Sequence, residues 1–232
     1  MKYVMSDIHG CYEEYLKALD MINFSDDDTL YILGDIIDRG YDSMKLMKDI
    51  MSRKNIIPLA GNHEFAALRF LKSFSSDSTE NDEILKNSED FLLWRMNGGD
   101  KTFAEFMELS EDERRMIVDY ISEMSLYEEI TVNDKAYLLV HAGLEPFDKD
   151  KAIEDYTIKQ LLWSRPDYNS KYFDDRFTVT GHTPTAREKG NNGTIIKRNN
   201  HIAIDCGCVF GYNLAVFCLD TSEEFYIKAK CD

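Results

Sequence analysis

Four of the five histidines in this chain close an apolar, strand-like run within two residues of a glycine. They are His9 in SDIHG, His63 in AGNHE, His141 in LVHAGL and His182 in VTGHTP. Asp7, Asp35, Asp38 and Asn62 stand in the same corners. Any one of these histidines is accounted for as a hydrogen-bonded loop residue. Four of them, beside three carboxylates and an amide, are not. Carboxylates gathered inside a fold have raised pKa values and destabilise it unless cations are present. Bound metal removes that cost. Oxygen and imidazole ligands without thiolate suit manganese, iron or zinc better than a cysteine-type structural zinc site. Two metals roughly 3.5–4 Å apart need a carboxylate shared between them, and Asp35, in the middle corner of the first three, is the candidate.

Such a cluster needs elements that end in one place. Near the start, a strand, a polar glycine-containing corner and a helical pattern follow one another three times. Residues 2–6 lead to DIHG and a helix whose face carries Tyr12, Tyr15, Leu16, Leu19 and Ile22. Residues 29–33 lead to GDIIDRG and a helix with Met44, Leu46, Met47, Ile50 and Met51, and residues 55–60 lead to GNHE and a helix through Phe65, Leu68 and Leu71. This repeat is the signature of an α/β sheet, in which function gathers at the carboxyl ends of the strands. Residues 102–124 read as two helices, the second capped by Ser110 with Glu113 three residues on. YEEITV and AYLLV, separated by Asn133-Asp134-Lys135, read as a hairpin. The later runs FTVTG, TIIK, HIAID, NLAVFCLD and EFYIKAK predict a second, mainly antiparallel sheet.

The 232 residues suit one domain, 1–232, with a substantial core. Residues 75–90, SSDSTENDEILKNSED, read as an acidic exposed segment. The formal charge of −16 argues against a nucleic-acid partner, since affinity for polyanions rests on neutralising phosphates. No run is apolar enough for a membrane span or a signal peptide, so no membrane partner and a cytoplasmic, monomeric protein are expected. The five cysteines are odd in number and lack zinc-ribbon spacing, which predicts reduced, mostly buried thiols.

DIHG, GDIIDRG, GNHE, HAGL and GHTP, in this order across residues 7–184, resemble the phosphoprotein-phosphatase branch of the calcineurin-like metallophosphoesterases. WRMNGGDKTF (94–103) and IDCGCVFG (204–211) are similar to segments of the compact bacterial and phage-type members. The resemblance implies an α/β fold of four layers, α/β/β/α, with two mixed sheets flanked by helices. It implies two divalent ions, manganese first and iron or zinc as alternatives. One would be held by Asp7, His9 and Asp35, the other by Asp35, Asn62, His141 and His182. His63 would face the leaving group, with Asp38 holding it. Arg39 and Arg165 would bind phosphate, as planar guanidinium forks do. Glu64 is expected to anchor its corner or cap the following helix, and Asp205 and Tyr212 to lie near the site.

The implied reaction is direct in-line attack by a hydroxide bridging the metals, with no phosphoenzyme. Its substrate would be a phosphoprotein or a phosphorylated small molecule, phosphoserine or phosphothreonine in proteins being the first reading. The alternative is a diadenosine polyphosphate. A metal-binding scaffold without turnover is disfavoured, because no expected position is degraded.

Overall fold

The computed structural model describes residues 1–76 and 85–230. The first sheet begins with β1 (Lys2–Met5), β2 (Thr29–Ile32) and β3 (Ile56–Pro58), paired in parallel. Each runs into one of the three corners. The helices that follow are α1 (Tyr12–Met21), α2 (Ser43–Ser52) and α3 (Asn62–Ser73). Their apolar faces pack on one side of this sheet around Met5, Leu30, Ile32, Met47, Ile50 and Leu71. Burying side chains of this size contributes roughly 1.5–3 kcal/mol each, so the parallel strands and their helices stabilise one another. Two residues expected on those faces lie outside the core: Leu16 and Phe65 are exposed. On α3 the turn that enters the interior carries Asn62, His63 and Glu64, which rotates Phe65 outward.

Beyond α3 come the short helix α4 (Glu89–Trp94), a π-helical turn (Arg95–Gly99), α5 (Asp100–Met107) and α6 (Glu111–Ser122). Ser110 and Glu113 cap α6 reciprocally: the Ser110 N–H donates to Glu113 Oε2 (3.0 Å) and the Glu113 N–H donates to Ser110 Oγ (3.4 Å). Phe70, Phe74, Phe91, Trp94 and Phe103 form an aromatic cluster that locks α3, α4 and α5 together. Of the stretch 75–90, positions 77–84 lie outside the described residues, and Glu89 and Asp90 are exposed in the first turn of α4.

The second sheet starts with the hairpin of β4 (Tyr127–Val132) and β5 (Lys135–Val140). Asn133 (φ 48°) and Asp134 (φ 62°) turn it in the left-handed conformation that matches strand twist. β6 (Arg176–Thr180), β7 (Ile196–Arg198) and β8 (His201–Ala203) complete it in the order β4-β5-β6-β8-β7. The expectation of a mainly antiparallel sheet is corrected here. β5–β6 and β6–β8 are parallel pairs, the first joined by a long crossover that contains α7 (Ile158–Trp163) and the second by a connection that contains β7. The last two strands, β9 (Asn213–Cys218) and β10 (Glu224–Lys228), leave this sheet and join the first one antiparallel to β1, giving β10-β9-β1-β2-β3.

Both sheets are therefore mixed. Val4, Tyr31, Leu139, Val179, Ile202 and Phe217 fill the space between them. α7 and its neighbours cover the outer face of the second sheet through Leu138, Val140 and Leu161. These are the four α/β/β/α layers. Among the described residues no helix is long and apolar enough to cross a membrane. Cys11, Cys206, Cys208 and Cys218 are free thiols, three of them buried, and burial pushes Cys206 up to about 12.

Candidate metal centre

The corners meet because backbone bonds zip them together. The Asp7, His9 and Gly10 N–H groups donate to the carbonyls of Gly34, Asp35 and Ile36 (3.1, 2.9 and 2.7 Å). Gly34, at φ +81°, passes so close to the third corner that a Cβ on it would sit 2.5 Å from Gly61 Cα. In the second sheet the Gly181 N–H donates to His141 O (2.8 Å), bringing the ends of β5 and β6 to the same place.

Glu64 ties this assembly down. Its carboxylate is fully buried and accepts four backbone N–H groups: Asp35 and Gly61 on Oε2 (2.8 Å each), Ile36 and Ile37 on Oε1 (2.8 and 3.1 Å). The anchoring role read from GNHE is thus realised across two corners at once.

Backbone strain collects here. Asp7, His9, Asp35, Asp38, Arg39 and His182 have φ between 49° and 72°. Left-handed conformations at residues other than glycine cost of order 1–3 kcal/mol each and persist where the surroundings over-determine them. Six of the ten residues given a metal, phosphate or proton-handling role from the sequence carry that strain.

Asp35 stands between two imidazole groups. Its Oδ2 lies 3.6 Å from His9 Nε2 and its Oδ1 3.4 Å from His141 Nε2. Asn62 Oδ1 lies 3.0 Å from His141 Nε2 and 2.8 Å from His182 Nδ1. Asp35, His141 and His182 offer ligand atoms within 4.8 Å of one another, as do His9, Asp35 and His63. Asp7 sits at the edge. Its carboxylate accepts the Ser6 hydroxyl and the His182 N–H, and it raises the pKa of Asp35, but it stands outside both tight groups. Arg39 is half-buried, and its Nη1 is in hydrogen-bond contact with His9 Nε2. Arg165 is exposed, without an ion pair to another described residue, and near enough to His182 to depress its pKa.

The donor set fits divalent ions. The Nδ1–H groups of His9 and His141 donate to Ile37 O (2.8 Å) and Leu33 O (2.6 Å). In the neutral ring this leaves each Nε2 as a lone pair, that of His9 accepting from the Arg39 guanidinium and that of His141 directed at the cluster. His141 Nε2 then faces two further acceptors, an amide and a carboxylate oxygen. Protons do not resolve this crowding. Burial first, then His141, Arg165, His63 and Arg39, push His182 down to about 2, and burial likewise holds His9 well below its ordinary value. Burial, with Asp7 and Glu64, drives Asp35 well above the carboxylate range. A cation is the common remedy for lone pairs without protons and a carboxylate that resists ionising.

His63 is held differently. Its Nδ1–H donates to Asp38 Oδ2 (2.7 Å), and the buried Nε2 has no hydrogen-bond partner among the described residues. Burial lowers its pKa, but Asp35 and Asp38 outweigh that, and the net shift is upward. The same Asp38 oxygen accepts the Trp94 Nε1–H (2.8 Å), and the Asp38 N–H donates to Thr102 Oγ1 (2.9 Å). Gly98, at φ +110°, lets its carbonyl accept the Arg39 N–H at 2.9 Å; a Cβ there would lie 2.8 Å from that nitrogen. Within WRMNGGDKTF, Trp94, Gly98 and Thr102 are therefore the residues that touch Asp38 or Arg39, roles that the stretch does not announce as sequence. Asp205 is buried near Asp7, with its pKa raised by burial and by that neighbour, whereas Tyr212 is exposed.

Comparison with known proteins gives the same direction. The family model described as calcineurin-like phosphoesterase matches residues 3–216. The chain is 26% identical to the bis(5'-nucleosyl)-tetraphosphatase PrpE [asymmetrical] of Bacillus subtilis, over 92% of this chain and 88% of that protein. It is 30% identical to the serine/threonine-protein phosphatase 2 of Salmonella typhimurium, over 70% of this chain and 67% of that one. In fold it is similar to a protein serine/threonine phosphatase from Saccharomyces cerevisiae, with a TM-score of 0.59 at 15% identity, covering 100% of this chain and 80% of that one.

Proposed function

From the premise that the chain belongs to the calcineurin-like phosphoesterases, we propose that it is a two-metal hydrolase of dinucleoside polyphosphates. Asp35 carries the two-metal part of this reading, because each of its oxygens faces a different imidazole nitrogen, 3.6 and 3.4 Å away, as suits a shared ligand. Asp7, His9 and Asp35 would hold one ion, and Asp35, Asn62, His141 and His182 the other. Divalent ions held there supply Lewis acidity and a nucleophile from solvent at neutral pH.

The chain's own residues do the rest. His63, kept protonated by its carboxylate neighbours, gives its Nε2 proton to the departing oxygen, while Asp38 fixes its Nδ1–H and the ring's direction. Such acid catalysis contributes about 10²–10⁴-fold. Arg39 and Arg165 place guanidinium charge on the phosphoryl oxygens, overcoming locally a chain whose formal charge is −16. Asn62 adds an amide oxygen to the ligand set without adding negative charge opposite phosphate.

The substrate reading reverses the order taken from sequence. Four relatives named as asymmetrical bis(5'-nucleosyl)-tetraphosphatases align over at least 90% of this chain and 85% of their own lengths. The Salmonella relative keeps hydrolysis of phosphoserine and phosphothreonine in proteins as the second reading. The discriminating measurement is kcat/KM in Mn²⁺ for diadenosine tetraphosphate against a phosphoserine peptide. A clear preference for the dinucleotide is expected; a preference for the peptide overturns the substrate reading and leaves the metal chemistry standing.

A further inference from the structure

Two cavities flank the centre. One, of about 670 Å³, opens beside His63 and is walled by Phe65, Phe70, Leu93, Trp94 and Trp163. The other, of about 470 Å³, opens beside Arg39, and two of the chain's thiols line it. Cys11 is the residue from which α1 starts; it is half-buried, and its Sγ–H points at His9 O (3.8 Å). Cys208 is 3% exposed and begins a 3₁₀ turn (Cys208–Phe210) between β8 and β9. Both side chains pack in the core of the first sheet and its helices, and their thiols are in hydrogen-bond contact with each other.

Turning that contact into a bond requires the sulfurs to close by about 2 Å. The Cys11 side has little freedom, because its corner is zipped to the second one: the Gly10 N–H donates to Ile36 O (2.7 Å) and the Cys11 N–H to Ile8 O (3.0 Å). The Cys208 side has more. Gly207 (φ 74°) and Gly211 (φ 82°) bracket its turn, and glycine rotates where other residues resist. The remaining described thiols are placed differently. Cys206 is buried with its hydrogen bond directed to Thr185, and Cys218 is buried in β9, paired with Tyr3 of β1. Neither lines this cavity. A small oxidant entering from solvent therefore meets Cys11 first, with Cys208 directly behind it.

We propose that Cys11 and Cys208 are a redox modification site, which a hydroperoxide entering the cavity beside Arg39 converts reversibly to a disulfide. The Cys11 sulfur bonds to one peroxide oxygen and the O–O bond breaks. The other oxygen keeps the electron pair, takes the Cys11 proton and leaves as water or an alcohol. The Cys208 sulfur then displaces hydroxide from the Cys11 sulfenic acid, and that hydroxide takes the Cys208 proton and leaves as a second water. The two thiols give up two electrons and two protons, and the peroxide accepts both. Thiol–disulfide exchange with a reductant restores the pair. The modification is independent of which phosphoester the centre cleaves. It fastens the first corner to the β8–β9 connection and closes a loop of most of the chain, so the oxidised form resists unfolding more than the reduced one.

The test treats the Mn²⁺-reconstituted chain with an equivalent of tert-butyl hydroperoxide under native conditions, traps remaining thiols with N-ethylmaleimide and digests with trypsin without reductant. Mass spectrometry should find the peptide 3–17, which holds Cys11, joined to 199–228, which holds Cys206, Cys208 and Cys218. Fragmentation of that species should assign the bond to Cys208 with no variant needed. The joined peptide should persist in Cys206→Ser, disappear in Cys11→Ser, and separate on treatment with dithiothreitol. Urea denaturation of the oxidised chain should show a higher midpoint than the reduced chain, and the shift should vanish in Cys11→Ser, whose half-buried position tolerates the change. Three results each overturn the proposal: a bond formed within 199–228, Cys11 carried to sulfinic acid with no joined peptide, or Cys11 and Cys208 both alkylated in full after peroxide. A joined peptide whose urea midpoint equals that of the reduced chain overturns the fastening of the first corner.

Discussion

Glu64 touches no reacting group, yet its replacement by glutamine should be among the most damaging single-atom changes in the protein. Each carboxylate oxygen accepts two backbone N–H groups, at 2.8 to 3.1 Å, within a fully buried site. In Glu64→Gln the amide oxygen retains one pair of bonds, and the NH₂ group confronts the other pair of donors. A hydrogen bond to a charged acceptor is worth roughly 1.5–3 kcal/mol, so losing two costs roughly 3–6 kcal/mol before any donor–donor repulsion. That is a large share of the 5–15 kcal/mol or so that typically separates folded from unfolded chains. Urea denaturation of the metal-free protein measures it directly, as a drop in midpoint at constant slope. Manganese affinity should fall in the same variant, because the Oε2 pair includes the Asp35 N–H. A loss under about 1 kcal/mol with metal binding intact would refute the claim that this carboxylate fixes the corners.

Other substitutions separate chemistry from scaffolding. His63→Asn should lower kcat about 10²–10⁴-fold on substrates with poor leaving groups while manganese content is unchanged; loss of metal would instead make His63 a ligand, as its nearness to His9 and Asp35 permits. Trp94→Phe keeps the ring stacked on Phe70 but deletes the N–H to Asp38, so kcat should fall several-fold with KM nearly constant, and an unchanged kcat would remove Trp94 from the positioning chain. His201 gives a pH signature far from the centre. Its ring is buried against Tyr172 and Tyr168, with neither nitrogen hydrogen-bonded among the described residues, and burial lowers its pKa from 6.5 despite the opposing pull of Glu145 and Asp167. The unfolded chain therefore takes up the proton first. This contribution is intact above about pH 6.5 and is lost as pH falls through the window down to the folded value. Tm against pH should show that decline in the native chain and a shallower one in His201→Leu; parallel curves would exclude His201 as its source.

What the sequence reveals and what it hides divide along a physical line. The three corners were legible because strand, glycine and polar cluster are local signals, and because five linked motifs resembled a known family. The direction of each helix face was less so. Phe65 follows the apolar spacing of α3, but the demand that Asn62, His63 and Glu64 enter the interior turns it to solvent. Strand pairing was harder still. β9 and β10 look like neighbours of β8 in the chain, yet β9 crosses to β1, because the first sheet has a free edge there and the inter-sheet core needs Phe217. Nothing within a run of six residues encodes that choice.

Trp94 shows why positioning residues are the last to be legible. Its spacing marks it as one more core aromatic, and most of its surface does serve the cluster with Phe70, Phe91 and Phe103. Its link to the candidate site is one N–H aimed at an aspartate 56 residues earlier. That aspartate holds His63 from the far side, so the hydrophobic packing of α3, α4 and α5 is what fixes the angle of the His63 ring. The same helices wall the pocket beside it. The angle of His63 and the shape of the neighbouring cavity therefore share one aromatic scaffold, and a change made to widen that cavity at Phe70 or Trp94 should disturb the rate on every substrate. Changes at Phe65 or Leu93, whose side chains stand in solvent, should alter selectivity among substrates while the alignment holds.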